Sequence, residues 1–184
     1  MANPDHLDRV MRYVGGERTL RLEHLDLSGA DLQGLDLSEA WLRDTDLSHA
    51  NLQATKLVFA PLPGVNLSFA NLHQADLHGC IGAGTDFRGA TLTNVSLRGA
   101  DLYGAIFEEA ICTQADFSGA DLSLAQCGRG TFLNVRFSRA ILMGTDFTQA
   151  NLTGVDFTRA KMGRAKFDQA ILDDHNRALL AKKG

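Results

Sequence analysis

Apolar side chains recur at every fifth residue along most of this chain. The register runs from Leu22 to Leu172 through 31 positions without a change of phase, and 27 of these positions are Leu or Phe. The other four are Gly82, Cys112, Cys127 and Met162. The residue two places earlier is small or apolar, most often Ala. Each unit of five therefore has two apolar positions and three that are mostly polar or glycine.

A period of five matches neither a regular helix nor a regular strand. In a helix every fifth residue is rotated by about 140° from the last, and in a strand it falls on the opposite face. One unit, such as residues 30–34, cannot bury its apolar side chains alone. Coils stacked on each other can bury them, so the pattern predicts a solenoid.

Blocks such as Ala50, Asn51 and Leu52, or Ala120, Asp121 and Leu122, resemble those of the pentapeptide-repeat family. The resemblance covers residues 20–174. It implies an all-β solenoid, a right-handed quadrilateral β-helix with four pentapeptides per coil and about eight coils. The central Leu or Phe and the small residue before it would point inward. The identity of the small residue follows a period of ten: neighbouring pentapeptides differ in it and alternate ones match. This alternation supports a coil with four sides.

The two ends of such a rod need caps, because an open solenoid exposes backbone and core. Residues 1–19 form the predicted N-terminal cap and lead-in, with a helix over residues 4–14. Asn3 suits the N-cap and Pro4 the first helical position. An apolar stripe follows on one side of this helix, at Leu7, Val10, Met11 and Val14. Residues 12–18 also resemble the lead-in of cyanobacterial pentapeptide proteins, including a heterocyst-differentiation regulator.

Residues 175–184 are predicted to form a short C-terminal helical cap or tail. Acidic residues precede this segment and lysines end it, as the helix dipole favours. We expect Leu179 or Leu180 to pack on the last coil. The alternative is a homodimer contact through the C-terminus, because some relatives pair in this way, so both a monomer and a C-terminal homodimer remain open.

Length and composition predict one soluble domain. The chain has 184 residues, 45% of them hydrophobic, which is enough for a substantial core. It begins without a basic segment followed by an apolar one, and it has no long apolar stretch, so we expect a cytoplasmic protein that does not enter a membrane. The cysteines, Cys80, Cys112 and Cys127, occupy inward positions, which predicts buried packing thiols. We expect no metal and no cofactor.

The net charge of −4 conceals a gradient along the chain. Residues 1–128 carry 17 acidic and 8 basic side chains, whereas residues 129–184 carry 5 acidic and 10 basic ones. The rod is therefore expected to be acidic over most of its length and basic at its C-terminal end.

Three places depart from the repeat without shifting its phase. Gly82 leaves an inward position without a side chain, Pro61 and Pro63 flank Leu62 and lack amide donors, and residues 127–130 contain two glycines. These departures are either neutral drift or a reshaped surface for a partner.

Residues twenty apart should stack, so each side of the coil can be followed as a column. One side carries an unusual set of outward apolar residues: Trp41, Pro61, Pro63, Ile81, Tyr103, Leu124, Ile141 and Met143. Such a row among polar neighbours is typical of a protein contact surface.

Two opposite sides carry columns of aspartates. One contains Asp26, Asp46, Asp86 and Asp146, and the other Asp36, Asp76, Asp116 and Asp156. The resemblance extends to quinolone-resistance proteins that mimic DNA and bind topoisomerases, which raises DNA gyrase as an alternative partner. In the first column the acids recur about every 10 Å, far more sparsely than the charges of duplex DNA. Basic residues dilute the charge further.

No catalytic residue emerges. His24, His49, His73 and His78 fall at outward positions without a nucleophile beside them, and His24 and Asp44 form at most a surface pair. The basic residues near Phe167 lack outward aromatic partners, so direct binding of nucleic acid is not expected. The sequence predicts a non-enzymatic protein-binding scaffold or regulator with an unidentified protein partner. The alternatives are a DNA-mimicking regulator of DNA gyrase and a stable rod without a dedicated partner.

Overall fold

The computed structural model describes residues 3, 5, 6, 10 and 20–181. Within residues 20–181 the backbone pairs in parallel with itself at a spacing of twenty, as Arg21 pairs with Trp41 and Asp26 with Asp46. One coil therefore takes up twenty residues, or four pentapeptides. Each pentapeptide contributes a single bridge residue rather than a longer strand.

The four sides of the coil are named here after their central residues. Face 1 holds residues 22, 42, 62 and onward to 162, and face 2 holds residues 27, 47 and onward to 167. Face 3 holds residues 32, 52 and onward to 172, and face 4 holds residues 37, 57 and onward to 157. Almost every central residue is fully buried, so the register found in the sequence marks the inside of the rod.

Each corner of the coil is a tight turn that follows the central residue. The amide of Ala30 donates to the carbonyl of Leu27 over 3.0 Å, and the same bond recurs along the rod. The second residue after the centre has a positive φ throughout, 58° at His24 and 68° at Gly29. This is the geometry of a type II turn, which costs a non-glycine residue about 1 kcal/mol. Within residues 20–181 nineteen non-glycine residues accept it, so the stacking must outweigh the cost.

The preference for Asp or Asn before the central residue has a local cause. The Oδ1 atom accepts a hydrogen bond from the amide two residues later, over 3.0 Å both from Asp26 to Ser28 and from Asn66 to Ser68. This amide has no backbone carbonyl of a neighbouring coil as its acceptor, unlike the amides directly before and after it. The side chain thus satisfies a backbone donor at the start of the turn.

The core changes character along the rod. The N-terminal coils are filled by Leu, whereas the C-terminal coils contain stacked Phe rings. The centroids of Phe87 and Phe107 lie 4.7 Å apart, and those of Phe137 and Phe157 lie 5.8 Å apart. The few inward threonines are satisfied by backbone. Thr45 Oγ1, for example, donates to the carbonyl of Leu22 over 2.6 Å.

All three cysteines are buried and unpaired, in agreement with the inward positions predicted for them. Burial raises the pKa of the Cys80 thiol to about 12 and raises those of Cys112 and Cys127 as well. At neutral pH these groups are protonated, so they act as packing residues and not as nucleophiles.

The C-terminal end is closed by the helix Asp174–Ala181. Asp173 precedes it and accepts hydrogen bonds from the amides of Asn176 and Gly154, both over 2.8 Å. The buried Asn176 side chain donates to the carbonyl of Val155 over 2.9 Å, and Leu179 packs against the core. The predicted C-terminal helix and its Leu179 contact are confirmed.

Most of the predicted N-terminal helix over residues 4–14 lies outside the described residues. Of its members, Asp5, His6 and Val10 are described and are helical, and Val10 is fully buried. Asn3 Oδ1 accepts a hydrogen bond from the Asp5 amide over 3.0 Å, as an N-cap does.

Two of the three irregular places change the backbone pairing or the core packing, as expected for a proline without an amide proton and a glycine without a side chain. Within residues 20–181, Pro61 pairs with Ile81 but not with Trp41, because its nitrogen has no proton to donate. At Gly82 an added Cβ would lie 3.0 Å from Thr85 Oγ1 and 3.4 Å from Leu102 Cδ2. Neighbouring side chains therefore already occupy the space beside this glycine.

Gly130 replaces the usual inward alanine for a steric reason. A Cβ at Gly130 would lie 2.6 Å from the buried ring of Phe132 and 3.2 Å from two carbonyl oxygens. A Cβ at Gly128, two residues away, would meet only one carbonyl oxygen at 3.5 Å. Neither glycine has a positive φ, so the difference is one of space alone.

We therefore expect Gly130→Ala to lower the free energy of unfolding by about 1–3 kcal/mol, as overpacked cores do. Gly128→Ala, the matched control, should change it by less than about 0.5 kcal/mol. Urea unfolding monitored by circular dichroism measures both. Equal effects at the two positions would show that the Phe132 ring moves away without cost.

Candidate protein-contact face

Face 1 exposes a row of large apolar side chains. Trp41, Ile81, Tyr103, Leu124 and Met143 are 41–54% exposed, whereas Pro61, Pro63 and Ile141 are half-buried. From the coil of Trp41 to the coil of Met143 there are five steps, or about 24 Å at ~4.8 Å per coil. The structure places all eight predicted residues on one side of the rod.

The two ends of this row are supported by neighbouring residues. The Arg21 guanidinium lies 5.1 Å from the centroid of the Trp41 ring, a cation–π distance. At the other end Leu124 leans over Gly144, where an added Cβ would lie 2.8 Å from Leu124 Cδ2. Met143 leans over Gly163 in the same way. These contacts restrict the side chains before any partner arrives.

The corner beside the middle of face 1 has almost no side chains. Gly84 and Gly104 occupy the turn position there, and an added Cβ at either would meet nothing within 4 Å. Ile81 and Tyr103 therefore stand next to bare backbone. A partner's main chain can approach closely at such a place, which side chains would prevent.

Four exposed apolar residues were not among the predicted contact residues: Phe59, Phe69, Ile111 and Ile171. The rings of Phe59 and Phe69 cover Gly79 and Gly89 of the next coil, and Phe69 also stacks on His49 at 5.2 Å. The signal was present in the sequence, since a bulky residue followed by glycine twenty positions later marks such a cover. Ile111 and Ile171 lie on face 3, opposite the apolar row.

The aspartate columns lie on faces 2 and 4, and their carboxylates are largely engaged. In all eight, Oδ1 accepts the amide two residues later: Asp26, Asp36, Asp46, Asp76, Asp86, Asp116, Asp146 and Asp156. Half of them also lie beside a Lys or Arg, as Asp36 lies 3.7 Å from Lys56 and Asp146 lies 3.2 Å from Lys166. The negative charge on these faces is therefore interrupted.

Asp116 is the most enclosed of these carboxylates. Its side chain is 9% exposed and lies 3.5 Å from Arg98 and 3.2 Å from Arg136. Burial acts to raise the pKa of Asp116, but hydrogen bonds from Ser118 and the charge of Arg136 outweigh it and lower the pKa below 3.8. Asp116 thus fixes two arginines on face 4.

The predicted surface pair is present, with His24 Nδ1 3.5 Å from Asp44 Oδ2 and both side chains more than half exposed. Among the described residues no group of three His, Cys, Asp or Glu side chains is placed to hold a metal ion. The described part of the chain also contains no helix with the length and apolar character needed to cross a membrane.

Comparison with known proteins identifies the repeat. A sequence model described as pentapeptide repeats matches in eight copies, over residues 21–48, 45–81, 85–123, 121–159 and 131–169. No curated protein sequence matches.

Two solved structures that are similar to this chain align over most of its length. A trypsin-treated form of QnrB1, a plasmid-mediated fluoroquinolone resistance protein, is 19% identical with a TM-score of 0.50, covering 90% of this chain and 95% of its own. HetL, a pentapeptide repeat protein involved in heterocyst differentiation regulation from Nostoc sp. strain PCC 7120, is 24% identical with a TM-score of 0.35, covering 95% and 98%. Together with the repeat match, the QnrB1 structure implies a right-handed quadrilateral β-helix.

The enclosure of Asp116 generates a pH-dependent prediction. We expect Asp116→Asn to lower the free energy of unfolding by about 1.5 kcal/mol at pH 7, because charge-assisted hydrogen bonds are lost. Since the pKa of Asp116 is lowered on folding, its contribution is present above pH 3.8 and is lost as the pH falls through the folded value. Urea unfolding of both proteins from pH 7 to pH 2 should show the difference shrinking at the acid end.

Asp156→Asn on the same face is the matched control, because among the described residues Asp156 has no ion-pair partner within 4.0 Å. Its effect at pH 7 should be smaller. A difference at Asp116 that persists unchanged at pH 2 would contradict the ionic origin of its contribution.

Proposed function

The chain belongs to the pentapeptide-repeat family, and we propose that it is a non-enzymatic scaffold or regulator that binds a protein partner through face 1. Members of this family are generally structural or regulatory scaffolds rather than enzymes. In this proposal the repeat array forms a rod of about eight coils that works in the cytoplasm and presents the face to its partner.

One observation carries the proposal, namely the exposure of Trp41, Ile81, Tyr103, Leu124 and Met143 along a single face. Contiguous exposed apolar groups are uncommon on monomeric proteins and often mark interfaces. Trp and Tyr are also the residues most often found as binding hot spots. The arrangement therefore favours a contact in which these two aromatic rings contribute most of the affinity.

The dimensions of the row suggest how a partner would cover it. The apolar strip is about 24 Å long and, at ~3.3 Å per residue, about 10 Å wide. This area is smaller than the ~800 Å² that one partner usually buries in a stable complex. We infer that the partner also contacts the polar corners beside the strip, which would form the rim of the interface.

Photo-crosslinking in the native cell tests this assignment directly. With p-benzoylphenylalanine in place of Tyr103, we expect a discrete cross-linked species that mass spectrometry identifies as one protein or a small set. The control places the same residue at Thr113, the equivalent turn position on the opposite face. Equal yields from the two positions would contradict a specific contact on face 1.

Substitution of the two aromatic residues provides the complementary measurement. We expect the pair Trp41→Ala and Tyr103→Ala to weaken binding of the cross-linked partner at least about tenfold, because each ring is worth on the order of 2 kcal/mol as a hot spot. The pair Ile111→Ala and Ile171→Ala removes exposed apolar groups from face 3 and should leave affinity unchanged. Circular dichroism establishes that both variants are folded. Unchanged affinity in the aromatic pair would overturn the assignment.

A DNA-mimicking regulator of DNA gyrase is the second candidate. Its support is the aspartates on faces 2 and 4, together with the fold shared with the fluoroquinolone resistance protein QnrB1. It is the weaker candidate because the carboxylates accept backbone amides and several lie beside basic side chains. Such pairing lowers the density of negative charge that a DNA-binding surface would meet.

Supercoiling by purified gyrase separates the two candidates. We expect no change in supercoiling at micromolar protein and low salt, where electrostatic binding is strongest. If the protein inhibits or protects gyrase, and this effect disappears in the pair Asp46→Asn and Asp76→Asn, the gyrase candidate is favoured over a protein partner on face 1. A rod without a dedicated partner would give neither cross-links nor an effect on gyrase.

A further inference from the structure

A basic groove runs along face 4 in the C-terminal half of the rod. Its volume is about 530 Å³, within the usual range for small-ligand sites, and it is open to solvent along its length. The groove crosses four successive coils. Its lining includes Arg98, Arg139 and Arg159 but only one carboxylate, that of Asp156. The groove therefore carries net positive charge within the basic end of the chain.

Two of the arginines are held near each other by the repeat itself. Arg139 and Arg159 occupy the same turn position one coil apart, so their backbones are separated by about 4.8 Å. Neither forms an ion pair with any other residue of the described chain. Two exposed guanidinium groups so placed repel each other, and an anion bound between them would relieve the repulsion.

The third arginine, Arg98, is held in place by a neighbouring carboxylate. Arg98 Nη1 lies 3.5 Å from Asp116 Oδ2, and this carboxylate is itself held by the Ser118 amide over 2.9 Å. The Arg98 side chain is still 61% exposed, so its remaining N–H groups can contact a ligand. Asp116 thus positions Arg98 at the end of the groove farther from the C-terminus.

Hydroxyl and amide donors fill the floor between these arginines. Ser118 Oγ and Ser138 Oγ lie 3.0 Å apart, and since Ser118 also serves Asp116, the Ser138 hydroxyl is the one that can turn its proton to a ligand. Thr158 extends the row by one coil. Because residue 136 is Arg and not Asp or Asn, the Ser138 amide donates no hydrogen bond to any residue in the described chain. Guanidinium, hydroxyl and amide N–H groups are the donors that bind phosphate.

We propose that this groove binds a small molecule that carries two or more phosphate groups. The distance from the coil of Arg98 to the coil of Arg159 is three steps, or about 14 Å, which is too long for a single phosphate to contact both ends. The lining contains no aromatic side chain on which a nucleobase could stack. The donor set therefore favours a polar polyanion such as a sugar bisphosphate. This inference does not depend on the partner proposed for face 1.

Titration of the full-length protein with fructose 1,6-bisphosphate at ~0.15 M salt, where the Debye length is about 8 Å, tests the proposal, with inorganic phosphate and unphosphorylated fructose as comparison probes. Amide NMR shifts report the site, and we expect saturable shifts at Ser138 and Ser118. Inorganic phosphate should bind at least about tenfold more weakly, because it makes fewer charge-assisted hydrogen bonds. Fructose should cause no shift.

The pair Arg139→Ser and Arg159→Ser should weaken bisphosphate binding at least about tenfold. The pair Arg43→Gln and Arg164→Gln removes the same charge from exposed positions on face 1 and should leave binding within about twofold, because exposed charges at this distance are screened. Equal losses in the two pairs, or no shift at Ser138 at millimolar probe, would overturn the proposal. A short DNA duplex that competes better than the bisphosphate would assign the groove to nucleic acid instead and would also overturn it.

Discussion

The stacking of each residue on the one twenty positions later is the constraint on which the rest of this structure depends. It pairs the backbone of every coil with the next, brings the central Leu and Phe side chains into continuous columns, and fixes which outward residues share a face. Burial of the columns, on the order of 2 kcal/mol for each Leu or Phe, offsets the left-handed turns that nineteen non-glycine residues adopt. The outward positions have no comparable constraint, so side chains of different chemistry fit there.

Much of this architecture could be predicted from the sequence because the repeat is regular. The five-residue register identifies the buried positions, and a twenty-residue coil places Trp41 and Tyr103 on the same face. Contacts between side chains of successive coils were harder to foresee. The covering of Gly79 by Phe59 and the enclosure of Asp116 between Arg98 and Arg136 depend on rotamers and not on register alone. The basic groove was missed because Arg98 lies one position earlier in its pentapeptide than Arg139 and Arg159 do in theirs, so the three arginines do not form a single column.

The same geometry explains why one rod can present surfaces of different chemistry. Face 1 is apolar and lies beside a corner of bare glycine backbone at Gly84 and Gly104, which suits a protein partner. Face 4 is polar and becomes basic near Arg139 and Arg159, which suits a phosphorylated ligand. Since the outward residues of the two faces do not contribute to the core between them, a substitution on one face should leave the other intact.

Two deletions test most directly whether the contiguity of face 1 determines binding. Removal of residues 104–123 takes out one whole coil and keeps every later residue on its face, whereas removal of residues 106–110 moves Leu124, Ile141 and Met143 from face 1 to face 4. Affinity for the partner cross-linked at Tyr103 is then measured for both folded proteins. The expectation is that the coil deletion retains most of the binding and the five-residue deletion loses it. Equal binding by the two proteins would contradict it.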